Sequence, residues 1–224
     1  MKYIIANWKA HFTSDDATNW CNKFSEKLSN GNKLQASLAE NKVCIIIAPP
    51  FPLIPIVKQS LPQTKNIYIA AQDVSRYDGG NYTGEVAANT LAGLVRYVII
   101  GHSERRSWYN ESEDDIAAKI MNASKHVIQP IQCIRGINDK VHELSQYIAY
   151  EPVEAIGTGK NASAQLVLQV KDALGIKQPK VFIYGGSVNP DTCAEYLQHP
   201  DIDGLLIGTA SLDPDAFYSI STQA

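Results

Sequence analysis

Glu151 stands where the chain concentrates most of its chemical potential. The apolar run Gln146 to Tyr150 reads as a strand that delivers this carboxylate at its end, and Pro152 stops the strand at once. The small-residue stretch Ala155-Ile156-Gly157-Thr158-Gly159-Lys160 follows. Glycine-rich segments can move as lids, and their N–H groups can cradle an anion. A base beside such a segment suits proton transfer on a small phosphorylated substrate, with water shut out.

Other polar residues also lie just past short apolar runs. They are Asn7 and Lys9, then Gln72 and Asp73, then His102, Ser103 and Glu104, then Gly185-Gly186-Ser187, and last Gly208-Thr209. Each has a plain structural reading. Lys9 could be a solvated charge, His102 a satisfied ring at a helix start, Glu151 an ordinary strand-end charge, and the glycines simple turns. Their joint pattern is more informative, because it sets a cation, an imidazole, a carboxylate and glycine-rich turns after successive strands.

The elements that would position them are eight short β-branched runs: Tyr3–Ala6, Val43–Ala48, Ile67–Ala71, Tyr97–Ile100, Pro130–Ile134, Tyr147–Tyr150, Val181–Tyr184 and Leu205–Ile207. They are apolar on consecutive positions, as expected of parallel strands buried on both faces. Helix signals lie between them. Ser14 is placed to cap a helix through Trp20 and Phe24, and Thr83-Gly84-Glu85 to open an alanine-rich one. Ser112 with Asp115 opens Ile116–Met121, Ser163 precedes Leu166–Leu174, and Asn189-Pro190 is an N-cap followed by proline. Alternating strands and helices predict an α/β fold, a (β/α)8 barrel forming one domain over residues 1–224. A doubly wound open sheet is the alternative, but no glycine-rich dinucleotide fingerprint follows the first strand. In a barrel, the C-terminal strand ends share one rim, and the turns after strands seven and eight commonly bind phosphate. The thirteen residues 134–146 between strands five and six leave room for about two helical turns or less, around Val141–Leu144.

Composition narrows the function classes. The net charge of −3 gives no basic excess for nucleic acid or an anionic membrane. The longest nearly continuous apolar run, Ile45 to Val57, is shorter than the roughly 18 residues of a membrane span and is broken by Pro49, Pro50, Pro52 and Pro55. The start of the chain lacks a signal-like apolar stretch and cleavage site. Cys21, Cys44, Cys133 and Cys193 form no CxxC pair, and the five histidines show no metal-binding spacing. A cytoplasmic protein with structural thiols and no protein-held metal is expected.

With these residues in view, the chain resembles the triosephosphate isomerase family along nearly its whole length. The resemblance rests on Asn7-Trp8-Lys9, on Gly101-His102-Ser103-Glu104-Arg105-Arg106, and on Ala149-Tyr150-Glu151-Pro152-Val153 with the Ala155–Lys160 stretch. It rests also on Tyr184-Gly185-Gly186-Ser187-Val188 and Gly208-Thr209-Ala210-Ser211-Leu212. It implies isomerisation of a triose phosphate in glycolysis and gluconeogenesis, without a cofactor. Glu151 would move the proton, His102 would polarise the carbonyl as a neutral ring, Lys9 would stabilise the enediolate oxygen, and Asn7 would position substrate and lysine. Gly157, Ser187, Gly208 and Thr209 would hold the phosphate, with Glu104 in support. The loop Gln72 to Thr83 resembles the family's inserting loop and implies a homodimer, with Thr83 near the partner's site.

The chain departs from the family's pattern in three places. Glu154 stands where most members have tryptophan, and Thr209 replaces the second glycine of a pair. Ile134-Arg135-Gly136 replaces Ile-Gly-Glu, and the helical stretch that follows it is lost. A β-branched residue is costly at positive φ, so Thr209 is expected to keep an ordinary backbone and its N–H contact. Two other functions fit a phosphate-binding barrel. An aldolase or other isomerase would need a late-strand Schiff-base lysine or different carboxylates, and no strand after the first supplies such a lysine. A non-catalytic binder would not need Lys9, His102 and Glu151 together.

Overall fold

The computed structural model describes residues 1–152 and 161–224. Glu154, Gly157 and the rest of the expected lid lie outside the described residues. Eight parallel strands close into a barrel in sequence order. They are β1 (Lys2–Asn7), β2 (Val43–Ala48), β3 (Ile67–Ala71), β4 (Tyr97–Ile100), β5 (Gln129–Ile134), β6 (Tyr147–Tyr150), β7 (Val181–Tyr184) and β8 (Gly204–Ile207). The ring closes where Tyr3 to Ala6 pair with Gly204 to Ile207. A side chain at Gly204 would strike the Tyr3 carbonyl, so only glycine lets β8 enter there.

Each strand is buried on both faces, but the faces do different things. One set, including Ile5, Ile46, Ile99, Ile131, Ala149, Ile183 and Leu206, fills the barrel interior. The alternate set, including Ile4, Ile45, Val98, Ile148, Phe182 and Leu205, meets the helices outside. This period of two decides where the site falls. Continuing the interior series upward gives Asn7 after Ile5, Gln72 after Ala70, Glu151 after Ala149, Gly185 after Ile183 and Gly208 after Leu206. The bottom of the interior is closed by Tyr3, Tyr68, Tyr97 and Tyr147, whose rings pack edge to face.

The surrounding helices include α1 (Ser14–Asn30), α2 (Asn32–Ala39), α3 (Ile54–Ser60), α4 (Ala88–Leu91), α5 (Ser103–Trp108), α6 (Glu113–Lys125), α7 (Ala164–Ala173), α8 (Cys193–Leu197) and α9 (Pro214–Ser221). α1 buries Ala17, Trp20, Cys21, Phe24 and Leu28, one face at helical spacing. Its cap is Thr13, not Ser14: Thr13 Oγ1 accepts the Asp16 N–H, and the Asp16 carboxylate accepts the Thr13 N–H at 2.9 Å. Ser112 and Asp115 form the expected capping box on α6, and Ser163 caps α7.

The alanine-rich helix does not open at Thr83. Gly84 has φ +93 and the Ser75 N–H donates to Val86 O, so this stretch closes the base of a loop and only Ala88–Leu91 turns helical. Asn189 does accept two N–H groups, from Asp191 and Thr192, but the cap lies one turn ahead of α8.

Between β5 and β6 there is no helix, and Val141–Leu144 is not helical. The buried side chain of Gln132, on the outer face of β5, replaces it as an organiser. Its Nε2 donates to Lys140 O at 2.6 Å and its Oε1 accepts the His142 N–H at 2.9 Å. Arg135 folds back on Asp139 through its N–H, Nε and Nη2. The short link thus satisfies its polar groups by side-chain bonds.

Candidate active site

At the C-terminal rim the interior series opens into a cavity of about 340 Å³, lined by Asn7, Lys9, His102, Glu151, Ser187 and Gly208 among others. Lys9 follows β1 by two residues and has φ +51, a left-handed conformation unusual for a long side chain. The Asn7 side chain accepts the Lys9 N–H at 3.1 Å. The Lys9 ammonium donates to Glu104 Oε1 at 2.5 Å.

Gly101 follows β4 with φ +73, which turns the chain sharply into α5 and presents His102 at the N-terminus of that helix. The Glu104 N–H donates to His102 Nδ1 at 3.2 Å. A nitrogen that accepts a hydrogen bond carries no proton, so the neutral ring has its proton on Nε2. That Nε2 lies 2.8 Å from Glu151 Oε1, and the other Glu151 oxygen accepts the Ser103 N–H at 2.9 Å. Glu151 is 2 % exposed. A Cβ at Gly185 would come within 3.0 Å of Glu151 Cγ, so a glycine on β7 makes room for the carboxylate.

Burial presses His102 toward its neutral form, yet the Glu151 carboxylate outweighs it and the ring's pKa lies above the ordinary value. Burial likewise pushes the Glu151 carboxyl up, but His102 and the Ser103 N–H outweigh it and hold its pKa below the ordinary value. Both net shifts belong to the same contact. Apart from the Glu151 contact, burial and the Lys9 cation favour neutral imidazole and the Glu104 carboxylate opposes them.

After β8, residues Thr209–Leu212 form a 3-10 turn. Thr209 has no positive φ, as expected for a β-branched residue. At the first position of the turn, its N–H has no partner inside it. Ser211 donates to Gly208 O from both N and Oγ, which fixes the turn against β8. Thr209 and Ser187 both line the cavity.

The structure therefore brings Asn7, Lys9, His102, Glu151, Ser187, Gly208 and Thr209 to one cavity, with Glu104 bonded to Lys9. Gly157 lies outside the described residues. Thr83 is exposed on the loop after β3, away from the cavity lining. Sequence reasoning placed Gln72 on the rim but gave it no role. Its Nε2 donates to Lys9 O at 2.9 Å and to Ala48 O at 2.8 Å. The signal available was its register, two residues past the interior Ala70.

A family model described as triosephosphate isomerase matches residues 2–224 of this chain. The chain is 38 % identical to the triosephosphate isomerase of Halorhodospira halophila, covering 100 % of this chain and 98 % of that protein. It is 37 % identical to that of Alkalilimnicola ehrlichii over 93 % of this chain and 97 % of the relative. The Thermus thermophilus relative is 36 % identical over 97 % and 96 % of the two chains. These alignments run over 245 to 258 positions, more than the 224 residues here, so the relatives carry segments this chain lacks.

Proposed function

The chain belongs to the triosephosphate isomerase family, and from that membership we propose how its residues interconvert D-glyceraldehyde 3-phosphate and dihydroxyacetone phosphate in glycolysis and gluconeogenesis. The observation that carries this reading is the Glu151–His102–Lys9 constellation, two carbonyl-directed donors and one base around a single cavity. A proton beside a carbonyl is weakly acidic, so its removal needs donors aimed at the oxygen that becomes negative. The Nε2–H of neutral His102 and the Lys9 ammonium supply them. Substrate takes the place of Glu151 on the imidazole, and the freed carboxylate carries the proton between C1 and C2. The carbonyl oxygen becomes an enediolate oxygen held by His102 and Lys9; the neighbouring hydroxyl proton passes to that oxygen beside His102 Nε2, and returning the carbon-bound proton to the other carbon forms the new carbonyl and completes the exchange.

Asn7 orients Lys9 and contacts substrate. Ser187, Gly208 and Thr209, with Gly157, bind the phosphate and keep it from being eliminated. No cofactor or metal takes part in this scheme. Glu104 neutralises Lys9 until substrate arrives.

We also propose a homodimer formed through the Gln72–Thr83 loop, with Thr83 near the partner's Lys9 and His102. The stacked Tyr77 and Tyr82 on that loop, and the exposed Trp108 and Tyr109 after it, support this reading. A cytoplasmic, single-domain protein accords with four free, buried cysteines. No described helix is long and apolar enough to cross a membrane. The test is a coupled assay of glyceraldehyde 3-phosphate conversion, with 2-phosphoglycolate, a carboxylate mimic of the enediolate phosphate, as inhibitor. Turnover blocked by the mimic is expected. Tight binding of the mimic without turnover would overturn the assignment of Glu151 as base.

A further inference from the structure

Lys9 is held from both sides. Its backbone is left-handed at φ +51, a conformation that L side chains rarely adopt. Asn7 Oδ1 takes the Lys9 N–H at 3.1 Å, which restrains one side of the residue. The other side, the Lys9 carbonyl, is taken by Gln72 Nε2 at 2.9 Å. The same nitrogen donates to Ala48 O at 2.8 Å, the last carbonyl of β2, which also accepts the Trp8 N–H. Two carbonyl acceptors demand the NH2 end of the amide, so the orientation of Gln72 is settled by its partners.

Gln72 is itself anchored. It continues the inward-facing series of β3 beyond Tyr68 and Ala70. Its neighbour Asp73 is gripped by Lys119 at 2.7 and 2.9 Å and by Arg105 at 2.9 Å. A rigid strand end and a partly buried ion cluster thus fix a carboxamide whose two donors tie Lys9, two residues past β1, to the end of β2.

We propose that Gln72 is a positioning residue of the reaction: by holding the Lys9 carbonyl it locks the left-handed turn that aims the Lys9 ammonium into the cavity. It does not touch substrate. The proposal rests on the reading that Lys9 stabilises the enediolate oxygen. A cation displaced by about 1 Å loses roughly tenfold to a hundredfold in rate without any change in the chemistry's participants.

The test is a double-mutant cycle in the full chain. Gln72→Met keeps the volume and removes both donors. Alone, it should lower kcat at least about tenfold and weaken 2-phosphoglycolate by a similar factor, with inorganic phosphate bound as in the parent chain. In a Lys9→Ala background, the same change should cost nothing further in 2-phosphoglycolate affinity. Equal losses in both backgrounds would show a general structural role and overturn the proposal, as would no loss in the parent. If Lys9→Ala itself left turnover unchanged, the reading of the site would fail first, and this proposal with it.

Should Gln72→Met fail to fold, Gln72→Glu serves. Its carboxylate cannot donate, but its protonated form can, so its kcat relative to the parent should rise as pH falls. A ratio flat across pH would overturn the proposal.

Discussion

In the proposed scheme Glu151 gives up its hydrogen bonds to His102 Nε2 and the Ser103 N–H before it acts as a base. These bonds favour its ionised form: burial favours the neutral acid, and His102, the Ser103 N–H and the Cys133 thiol more than offset it. The sign follows directly. A carboxyl depressed in the folded state contributes stability that is complete above the ordinary glutamate pKa and is lost as pH falls through the depressed value. A carbon-13 titration of Glu151 should therefore show a midpoint below that of an ordinary glutamate. In His102→Gln, burial has less to oppose it and the midpoint should rise; a midpoint that fell would contradict this account. In the same samples, Glu151→Gln should lower kcat by roughly a hundredfold to ten-thousandfold, the range of a positioned general base, while inorganic phosphate still binds. The residue types here were legible in the sequence, because a strand-end carboxylate and an imidazole flanked by turn residues stand out. Their mutual contact was not, since Glu151 and His102 are far apart along the chain and meet only across the closed barrel.

At the scale of elements, strand positions follow from runs of β-branched residues, and these runs match the observed strands to within a residue or two. Helix starts were less legible. Thr13 outcompetes Ser14 because Asp16 lies three residues beyond it and can close the capping box. The stretch after Thr83 looked helical in composition, yet Gly84 and the loop closure at Val86 prevent it. The β5–β6 connection is the most instructive element. A buried glutamine in a strand has no place in a pattern of apolar runs, and its purpose appears only once the loop is seen folded over it. Gln132→Ala would leave Lys140 O and the His142 N–H without their partner, costing about 1–3 kcal/mol. Urea unfolding should show that loss while kcat stays at the parent value. An unchanged midpoint would mean the short link is held by Arg135 and Asp139 alone.

At the scale of the whole molecule, the loop after β3 bears on assembly. The loop after β3 is organised within one chain: Tyr77 stacks on Tyr82, Asp78 bonds Lys125 and His126, and Arg76 pairs with Asp115. A loop that is pre-shaped yet exposes aromatic rings loses little entropy on docking. Light scattering at micromolar concentration should give the mass of two chains, and a monomer would end the dimer proposal. The sequence by itself determined the class of fold, the order of its strands and the chemical types at the rim, because buried parallel strands and strand-end polar residues leave local patterns. The tertiary structure alone decided which of those residues share a cavity, that Lys9 is clamped by Asn7 and Gln72, and that Gln132 stands in for a helix. Such pairings depend on barrel closure and on the inward or outward register of each strand, and no local pattern in runs apolar at every position reports either.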